Sequence, residues 1–587
     1  MNTSVGRPWL ALALCLSLAM WMTGPVWVAE EPSFIGHWDA LDLPGSIWAH
    51  WWVAESIANG QNPFVDTVSF QPIGLDPVLQ YNLIDAIVGA PWVWLLGLRV
   101  GYNVATVVAL TTTGFGAYIL ARNAQMTWRG AIFVAIALQS SSTMALELYE
   151  GRLSQFLLVF LLLSLAALQK LIHTARNGKV AIWLGVSAAL TALVYWYAGL
   201  FLILAATAMI VVSRKQLNRQ RLTWLIYSAA VGALCVLPFV SELASQWASL
   251  PGMQRGTEGA TFATNIVSLK TGHDIAIENS RWVLWPVLSR ANQEAGHQIG
   301  LLSLLFVFFA LRQKSSGLRP WLTMAAIGWV LALGPVFHGY SSTTEITAPL
   351  GWLQELSPIF ARMWWPQRFE ILTALGVSMA AGMGLDLWLK ERKKSTIWWI
   401  LAVMLSVADA PLRSGVLPSR ASVEPTVYPD LYKGLDGAVI TTPIHPPVQI
   451  LNHQRFAQTQ HGLPIINGNG EHIPGHAPDA WTEWVKASKI LMGLSTLQTD
   501  QSVDITIEPK DVQYVIDAGF RYASVDPSVY PTSVGRNWAA THGAAFSQIW
   551  GEPLRRHRGG AVWAIKPIHA PITVSARYLN DRDRRSH

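Results

Sequence analysis

Charged side chains are scarce in this sequence, and so is cysteine. Of its 587 residues only 13% are charged, whereas an average soluble chain has about 25%. Apolar residues make up 51% and the mean hydropathy is +0.31, which excludes a soluble enzyme, a disordered protein and a nucleic-acid-binding protein. Cys15 and Cys235 both lie in apolar runs, so neither a disulfide framework nor a zinc site is expected.

What the sequence has instead is a series of apolar runs and 29 tryptophans, a residue enriched at membrane–water interfaces. A helix needs about 20 apolar residues to cross the hydrocarbon core of a bilayer. Reading Leu83–Leu98 as an interfacial helix, we predict eleven spans. They lie at Trp9–Ala29, Tyr102–Ala121, Ala131–Leu146, Phe156–Ile172, Val180–Ser213 (two spans joined by a tight turn), Leu222–Val240, Ile299–Leu311, Trp321–Phe337, Phe369–Leu389 and Thr396–Ala408.

The positions of the basic residues predict the orientation of these spans in the cytoplasmic (inner) membrane. With the N-terminus in the cytoplasm, the short cytoplasmic segments collect the basic clusters, as the positive-inside rule requires. The prediction is a mainly α membrane domain at 1–409, with outer loops at 30–101 and 241–298. A soluble α/β or α+β domain follows outside the membrane at 410–587, with strand-like runs at Ala438–Thr442 and Val512–Ile516.

The first outer loop is unusually acidic. Its acidic residues are Glu30, Glu31, Asp39, Asp42, Glu55, Asp66, Asp76 and Asp85, and Arg99 is its one basic residue. Asp39 and Asp42 lie among Trp and His side chains, including His50, just after the first span. A partly desolvated carboxylate there is suited to general-base chemistry on a lipid-linked substrate. The alternative is that these acids are solvated or cap a helix.

Several phrases around this loop resemble the GT-C superfamily of membrane glycosyltransferases. An early Asp precedes a Trp-rich helix at Ser46–Ala58, and the phrases Asn59-Gly60-Gln61-Asn62-Pro63-Phe64 and Gln71-Pro72-Ile73-Gly74 follow. A Tyr-Asn pair, Tyr102-Asn103, then opens the next span. The layout over residues 1–410 is most similar to bacterial members that carry a C-terminal domain outside the membrane.

The resemblance implies a catalytic Asp in the first outer loop and a donor sugar linked to polyprenyl phosphate. Asp42 matches the family Asp best because it directly precedes the Trp-rich helix, and Asp39 is the second choice. Some members have a tight Asp-x-Asp pair, whereas the spacing here is Asp-x-x-Asp. If a divalent cation, Mg or Mn, takes part, carboxylate oxygens of these two residues are its expected ligands.

The resemblance also implies residues that bind the lipid phosphate. Glu150, Arg152 and Gln155 lie in the second outer loop, and Arg362 and Arg368 precede a span that contains many small residues. Guanidinium groups match phosphate geometry. The alternatives are that Arg152 pairs with Glu150 or snorkels, and that Arg362 and Arg368 are interfacial anchors.

The predicted function is therefore sugar transfer with inversion, from a polyprenyl-phosphate-linked donor to a glycan, lipid or protein acceptor at the outer face. Nucleic acid is not expected as a partner. The alternatives are a non-catalytic relative that presents lipid-linked glycan during envelope assembly, and a lipid or glycan transporter. Ionisable residues within the spans are few, which disfavours an ion-coupled transporter.

Overall fold

Helices dominate the computed structural model, as the apolar runs predict. It describes residues 7–38, 42–74, 83–173, 178–247, 277, 280–281, 284–285, 298–338, 343–361, 363–423, 429–444, 446, 448–468, 477–497, 503–529 and 533–576. The contacts divide the chain into two compact units. The first comprises Met1–Ala40, Asn82–Ser241 and Lys270–Ser422, and the second comprises Leu41–Tyr81, Glu242–Leu269 and Val423–His587.

The first unit contains a helix at every predicted span. Its main helices are Pro8–Met22, Leu83–Asn123, Trp128–Gln139, Ser142–Tyr149, Val159–His173, Gly178–Val194, Trp196–Val212, Arg219–Trp247, Leu301–Arg312, Arg319–Ala332, Glu370–Lys390 and Ser395–Ser414. Among the residues described, five helical segments are long and apolar enough to cross a membrane, and a sixth results if the bent pair at 128–139 and 142–149 is one span. The chain is a multi-pass membrane protein. The count of eleven spans stays a prediction.

Short elements complete this unit. Its short helices are Gly24–Trp27, Leu153–Phe156, Pro349–Leu356 and Pro358–Ala361, and its strands are Ser33–Ile35, Val336–His338, Thr343–Thr347 and Ala421–Val423. The strands form two small two-stranded sheets.

The helix at Glu370–Lys390, here called the central helix, packs closely against three neighbours through glycines. A Cβ on Gly376 would overlap the Trp321 carbonyl oxygen, and one on Gly384 would overlap that of Phe306. A Cβ on Gly382 would meet the Gly130 carbonyl oxygen at 2.9 Å. Small residues let helix backbones approach in this way. The run of small residues noted in the sequence is therefore a packing surface.

Polar side chains fix both ends of the central helix. Asp386 accepts hydrogen bonds from Thr127 N at 2.6 Å and Gly130 N at 3.1 Å, so it caps the helix that begins at Trp128. At the other end Glu370 pairs with Arg281, and both side chains are buried. The acid in the first helical turn also suits the helix dipole.

Two breaks predicted from the sequence redirect the chain. The Leu83–Asn123 helix is interrupted at Gly97, whose φ is 77°, and a Cβ on Gly101 would lie 2.5 Å from Val93 Cα. The chain therefore folds back on itself between the predicted interfacial segment and the next span. A single extended residue, Tyr195, separates the two helices of the predicted double span.

The second unit contains both helices and strands. Its helices are Leu43–Ala58, Pro429–Tyr432, Val448–His461, Asp479–Ala487, Lys489–Thr496, Pro509–Asp517 and Ser533–Trp550. Ala438–Thr441 pairs in parallel with Phe520–Val525, and Gly560–Ala564 and Arg555–His557 extend that sheet in antiparallel pairs. Val503–Ile507 and Ile572–Ala576 form a separate antiparallel pair.

One sequence-based expectation changes here. The run Val512–Ile516 is helical, not a strand, because Pro509 opens the helix and Glu508 and Asp511 form a capping box around its first turn. The domain boundary at 410 stays a prediction, and by contacts residues 41–81 group with residues 423–587 in the second unit.

The glycine contacts predict which small substitutions the membrane unit tolerates. Gly384→Ala must push the central helix away from Phe306, so we expect it to cost about 1–3 kcal/mol of unfolding free energy. Gly24→Ala is the matched control because nothing lies within 4 Å of the added Cβ. Thermal unfolding of the purified protein in detergent measures both, and equal midpoints would contradict the packing described here.

Candidate functional site

A bend in the chain presents the predicted phosphate-binding residues of the second outer loop. The helix that ends at Gln139 and the helix that starts at Ser142 meet at 41°, and the Ser141 hydroxyl caps the second helix at Met144 N. After Tyr149 the chain turns through Gly151, whose φ is 72°. The Arg152 amide then donates to the Glu147 carbonyl oxygen at 3.0 Å.

The Arg152 guanidinium lies between two carboxylates. Its Nη1 is 3.3 Å from Glu147 Oε2, and its Nη2 is 3.6 Å from Glu150 Oε2. The Arg152 side chain is only 16% exposed, so these pairs are screened less than surface pairs. The pairing with Glu150 that the sequence offered as an alternative is present. The two carboxylates orient the guanidinium.

The Tyr102-Asn103 pair attaches the first outer loop to this turn. Tyr102 donates to the Gly151 carbonyl oxygen at 3.1 Å, while Asn103 exchanges hydrogen bonds with Ile35 N and Ser33 O. The His37 amide donates to the Tyr149 carbonyl oxygen at 2.7 Å, and the two rings stack with centroids 4.8 Å apart. Residues 33–37 therefore lie against the Arg152 turn.

Arg368 lies in an aromatic enclosure just before the central helix. Its guanidinium is 4.5 Å from the Trp365 ring centroid, and 5.5 and 5.6 Å from those of Tyr195 and Tyr197. It also donates a hydrogen bond to the Tyr195 hydroxyl. Within the described part of the chain, its buried Nε has no hydrogen-bond partner. Stacked rings hold a guanidinium plane while its edge keeps donors available for a ligand.

Tyr195 links the two arginines. It is 8% exposed, and burial raises the pKa of its phenol well above the usual value. The charges of Arg368 and Arg152 oppose that shift, whereas the charge of Glu147 adds to it. All three groups therefore lie within electrostatic range of one protonated phenol. We call Glu147, Arg152, Tyr195 and Arg368 the arginine cluster.

The sequence reading missed Tyr195 and Glu147 as members of this cluster. The available signal was the Tyr195-Trp196-Tyr197 interruption of a long apolar run, together with an acid on the same short helix as Tyr149. The predicted residue Gln155 lies beside the cluster. Its backbone N–H donates to the Arg152 carbonyl oxygen at 2.9 Å. Its buried Oε1 has no hydrogen-bond partner among the residues described. Asp39 and Arg362 lie outside the described residues.

Asp42 and His50 are on the Trp-rich helix Leu43–Ala58, here called the Asp42 helix, in the second unit. Asp42 is the N-cap residue, yet its side chain makes no capping hydrogen bond to that helix. His50 is fully buried, with Nδ1 2.8 Å from the Ser46 carbonyl oxygen. Burial lowers the pKa of His50 to about 4, and the hydrogen bond to Ser46 opposes that shift. His50 is therefore neutral at physiological pH and faces the interior of its unit.

Metal ligands were weakly indicated by the sequence. Within the described ranges, no three His, Cys, Asp or Glu side chains come together in a way that could hold a metal ion. The His-containing segment 458–468 begins as the last turn of the helix Val448–His461 and then leaves it, and His461 Nδ1 accepts from Leu463 N at 3.0 Å. Burial lowers the pKa of His461 to about 3.

A cavity of about 40 Å³ lies beside the bend in the first unit. Ser140, Ser142, Gln298 and Trp285 are among the residues that line it. A volume of that size holds about two or three water molecules, so it does not admit a sugar. The arginine cluster is the better candidate for the substrate site.

Comparison with solved structures finds the same fold in two membrane-protein structures whose names describe glycosyl transfer. The oligosaccharyltransferase AglB from Archaeoglobus fulgidus, solved with an inhibitory peptide and a dolichol-phosphate, superposes with a TM-score of 0.52 at 11% identity. The alignment covers 91% of this chain and 71% of AglB. The mycobacterial arabinofuranosyltransferase AftD gives 0.53 at 15% identity, over 99% of this chain and 40% of AftD.

Other comparisons agree or find nothing. An AglB structure with zinc and sulfate gives a TM-score of 0.50 at 12% identity, over 88% of this chain and 67% of the other. No protein-family model matches the sequence, and no curated protein matches it by sequence. At these identities the similarity establishes the fold, and the residues of the site must carry any statement about activity.

The buried His50 predicts a pH dependence of stability. Its pKa is lower in the folded state, so below about pH 6.5 the unfolded chain takes up a proton that the folded chain refuses. Unfolding free energy should fall by about 1.5 kcal/mol between pH 6.5 and 5 through this group alone. Urea denaturation followed by Trp fluorescence should show a smaller fall for His50→Gln. The exposed His569→Gln is the control, and identical pH slopes for His50→Gln and wild type would contradict the assignment.

Proposed function

We propose that this chain is a glycosyltransferase that moves a sugar from a polyprenyl-phosphate-linked donor to an acceptor at the outer face of the membrane. The observation that carries the proposal is the arginine cluster, in which Arg368 donates to the Tyr195 hydroxyl and the charges of Arg152 and Glu147 act on the same phenol, within a GT-C-like fold. AglB has been solved with a dolichol-phosphate, which is a lipid phosphate of the same chemical class.

The cluster suits a lipid phosphate for three physical reasons. Two guanidinium groups supply donors in the planar geometry that phosphate oxygens accept. Their shallow burial strengthens the attraction for an anion relative to open water. The protonated Tyr195 hydroxyl can donate to a phosphate oxygen, and the carboxylates of Glu147 and Glu150 keep Arg152 in position before the ligand arrives.

The reaction proposed is a single displacement at the anomeric carbon of the donor sugar. The acceptor oxygen forms the new bond to that carbon, and the bond from the carbon to the phosphate oxygen breaks. The electron pair of that bond leaves on the polyprenyl phosphate, whose growing negative charge Arg152 and Arg368 stabilise. The acceptor proton goes to a carboxylate base, and attack opposite the leaving group inverts the anomeric centre.

Asp42 is the proposed base, and Asp39 is the alternative. Asp42 occupies the N-cap position of the Asp42 helix. It directly precedes the Trp-rich helix, as the catalytic Asp does in the superfamily that the sequence resembles. A divalent cation held by Asp39 and Asp42 belongs to the same proposal, and transfer after chelation tests it. We also propose that the chain lies in the inner membrane with its N-terminus in the cytoplasm.

The base assignment is tested with Asp42→Asn. Loss of the proton acceptor should lower kcat for sugar transfer by about 10²- to 10⁴-fold, whereas donor binding should persist. Transfer from a polyprenyl-phosphate sugar is followed by mass spectrometry of the acceptor products. Glu55→Gln on the same helix is the control, because Glu55 is exposed. If the Asp42→Asn variant transfers sugar at the full rate and the Asp39→Asn variant does not, Asp39 is the base. Full activity of both variants would refute a catalytic base in this loop.

Donor binding is tested at Arg368. Arg368→Lys keeps the charge but loses the planar donors and the stacking, so we expect the KM for donor to rise about 10-fold or more. Arg319→Lys is the matched control because Arg319 is exposed and remote from the cluster in sequence. Direct binding of polyprenyl phosphate to the detergent-solubilised protein separates affinity from turnover. Unchanged affinity in Arg368→Lys would remove Arg368 from the donor site.

A further inference from the structure

Within the second unit, residues 423–587 (here called the C-terminal segment) hold the Asp42 helix through a fully buried set of polar and aromatic contacts. The Trp48 indole stacks with Trp52 at a centroid separation of 6.0 Å, and its Nε1 donates to Gln458 Oε1 at 2.7 Å. On the C-terminal side these contacts come from the helix Val448–His461, here called the Gln458 helix. Trp48, Gln458 and Arg455 are all 0% exposed.

Gln458 is bound at both ends of its amide. While Oε1 accepts from Trp48, Nε2 donates to the carbonyl oxygens of Val68 at 2.8 Å and Leu463 at 3.0 Å. One side chain therefore joins the Asp42 helix, the loop that follows it and the turn of the C-terminal segment. Loss of the amide would leave buried polar groups unsatisfied, which is costly.

The backbone continues the same attachment. Phe70 N donates to Asn467 O at 3.2 Å and Gln71 N donates to Ile465 O at 3.1 Å, while Ile465 N donates back to Val68 O at 2.8 Å. Two segments about 390 residues apart in sequence thus pair directly. The Asp42 helix is fixed at its middle by Trp48 and, through the loop that follows, beyond its C-terminal end.

Arg455 acts at the other end of the helix. Its guanidinium lies 3.9 Å from the Trp48 ring centroid, and its Nη1 lies 3.7 Å from the position that a Cβ on Gly45 would occupy. Gly45 is in the first turn of the Asp42 helix, where the helix dipole is positive and a cation is disfavoured. The guanidinium is fully buried, so it acts here on the first turn of the Asp42 helix and on Trp48 rather than on a ligand from solvent.

We infer that the C-terminal segment positions the Asp42 helix for catalysis, with Arg455 and Gln458 as the positioning residues. The inference rests on the proposed function, in which Asp42 is the base. Arg455 sets the distance and rotation of the first helical turn by stacking on Trp48 beside Gly45, and Gln458 fixes the middle of the helix. In this inference both residues act on the chemistry through the place that they give to the Asp42 carboxylate.

Kinetics separate positioning from binding. Arg455→Met removes the charge and the planar stack at similar volume, and we expect kcat to fall about 10- to 100-fold through misplacement of the base. The KM for donor should stay within about twofold, because the arginine cluster binds the lipid phosphate. The kcat of Arg455→Lys should lie between that of the wild type and that of Arg455→Met. Arg556→Met is the matched control, since the Arg556 side chain is 66% exposed on the same unit. A wild-type kcat in Arg455→Met would overturn the inference.

A crosslink tests the role of Arg455 without relying on one variant's fold. The Cβ position on Gly45 lies 3.6 Å from Asn452 Cγ, so Gly45→Cys with Asn452→Cys should bring two sulfurs within disulfide reach. The background is Cys235→Ser, because Cys235 is exposed and Cys15 is buried. Oxidation should leave transfer intact with Arg455 present. In Arg455→Met it should restore kcat to within about threefold of wild type, and reduction should abolish the rescue.

Each outcome decides the inference. A disulfide that forms but inactivates the protein with Arg455 present would show that the helix must move, and would refute positioning. A disulfide that forms without rescuing Arg455→Met would assign Arg455 another role. Failure to form the disulfide in folded protein would refute the contact itself. Failure of the proposed function is distinguished by Asp42→Asn without the crosslink. Full activity of that variant would show that Asp42 is not the base, whatever result the crosslink gives.

Discussion

Close backbone contact around the central helix is the constraint on which the membrane unit depends. Gly376, Gly382 and Gly384 each bring a different neighbouring helix to the Glu370–Lys390 backbone. Without a hydrophobic driving force between helices in lipid, this kind of packing has to supply much of the association energy. It also fixes the turn that carries Arg368, since that turn runs directly into the central helix. The position of Arg368 in the arginine cluster therefore depends on close packing at these three glycines.

Much of this fold follows from the sequence, because membrane helices are encoded locally. A run of apolar residues must satisfy its own backbone in lipid, so each predicted span appears as a helix. The breaks at Gly97 and Tyr195 were visible as interruptions of such runs. Partners are not encoded in this way. That Asp386 caps the helix at Trp128, 258 residues earlier in the chain, follows from packing alone.

The second unit was less predictable for the same reason. Val512–Ile516 is typical of a strand by composition, yet Pro509 and the capping box start a helix there. The phrase at Gln71 is visible in the sequence, but no local pattern shows that Gln71 pairs with Ile465.

For the candidate site, Arg152 and Arg368 were predicted individually. Tyr195, whose hydroxyl accepts from Arg368, was not, because this contact exists only once two distant segments pack together.

The two arginine environments also show why fold and activity must be argued separately. Arg368 and Arg455 both stack on aromatic rings, yet the Arg368 side chain is partly exposed, whereas Arg455 is 0% exposed. A fully buried guanidinium cannot meet a ligand from solvent, so its role has to lie in what it holds in place. An accessible one can gain a phosphate. At 10–15% identity to proteins of the same fold, this difference in accessibility says more about role than the residue type does.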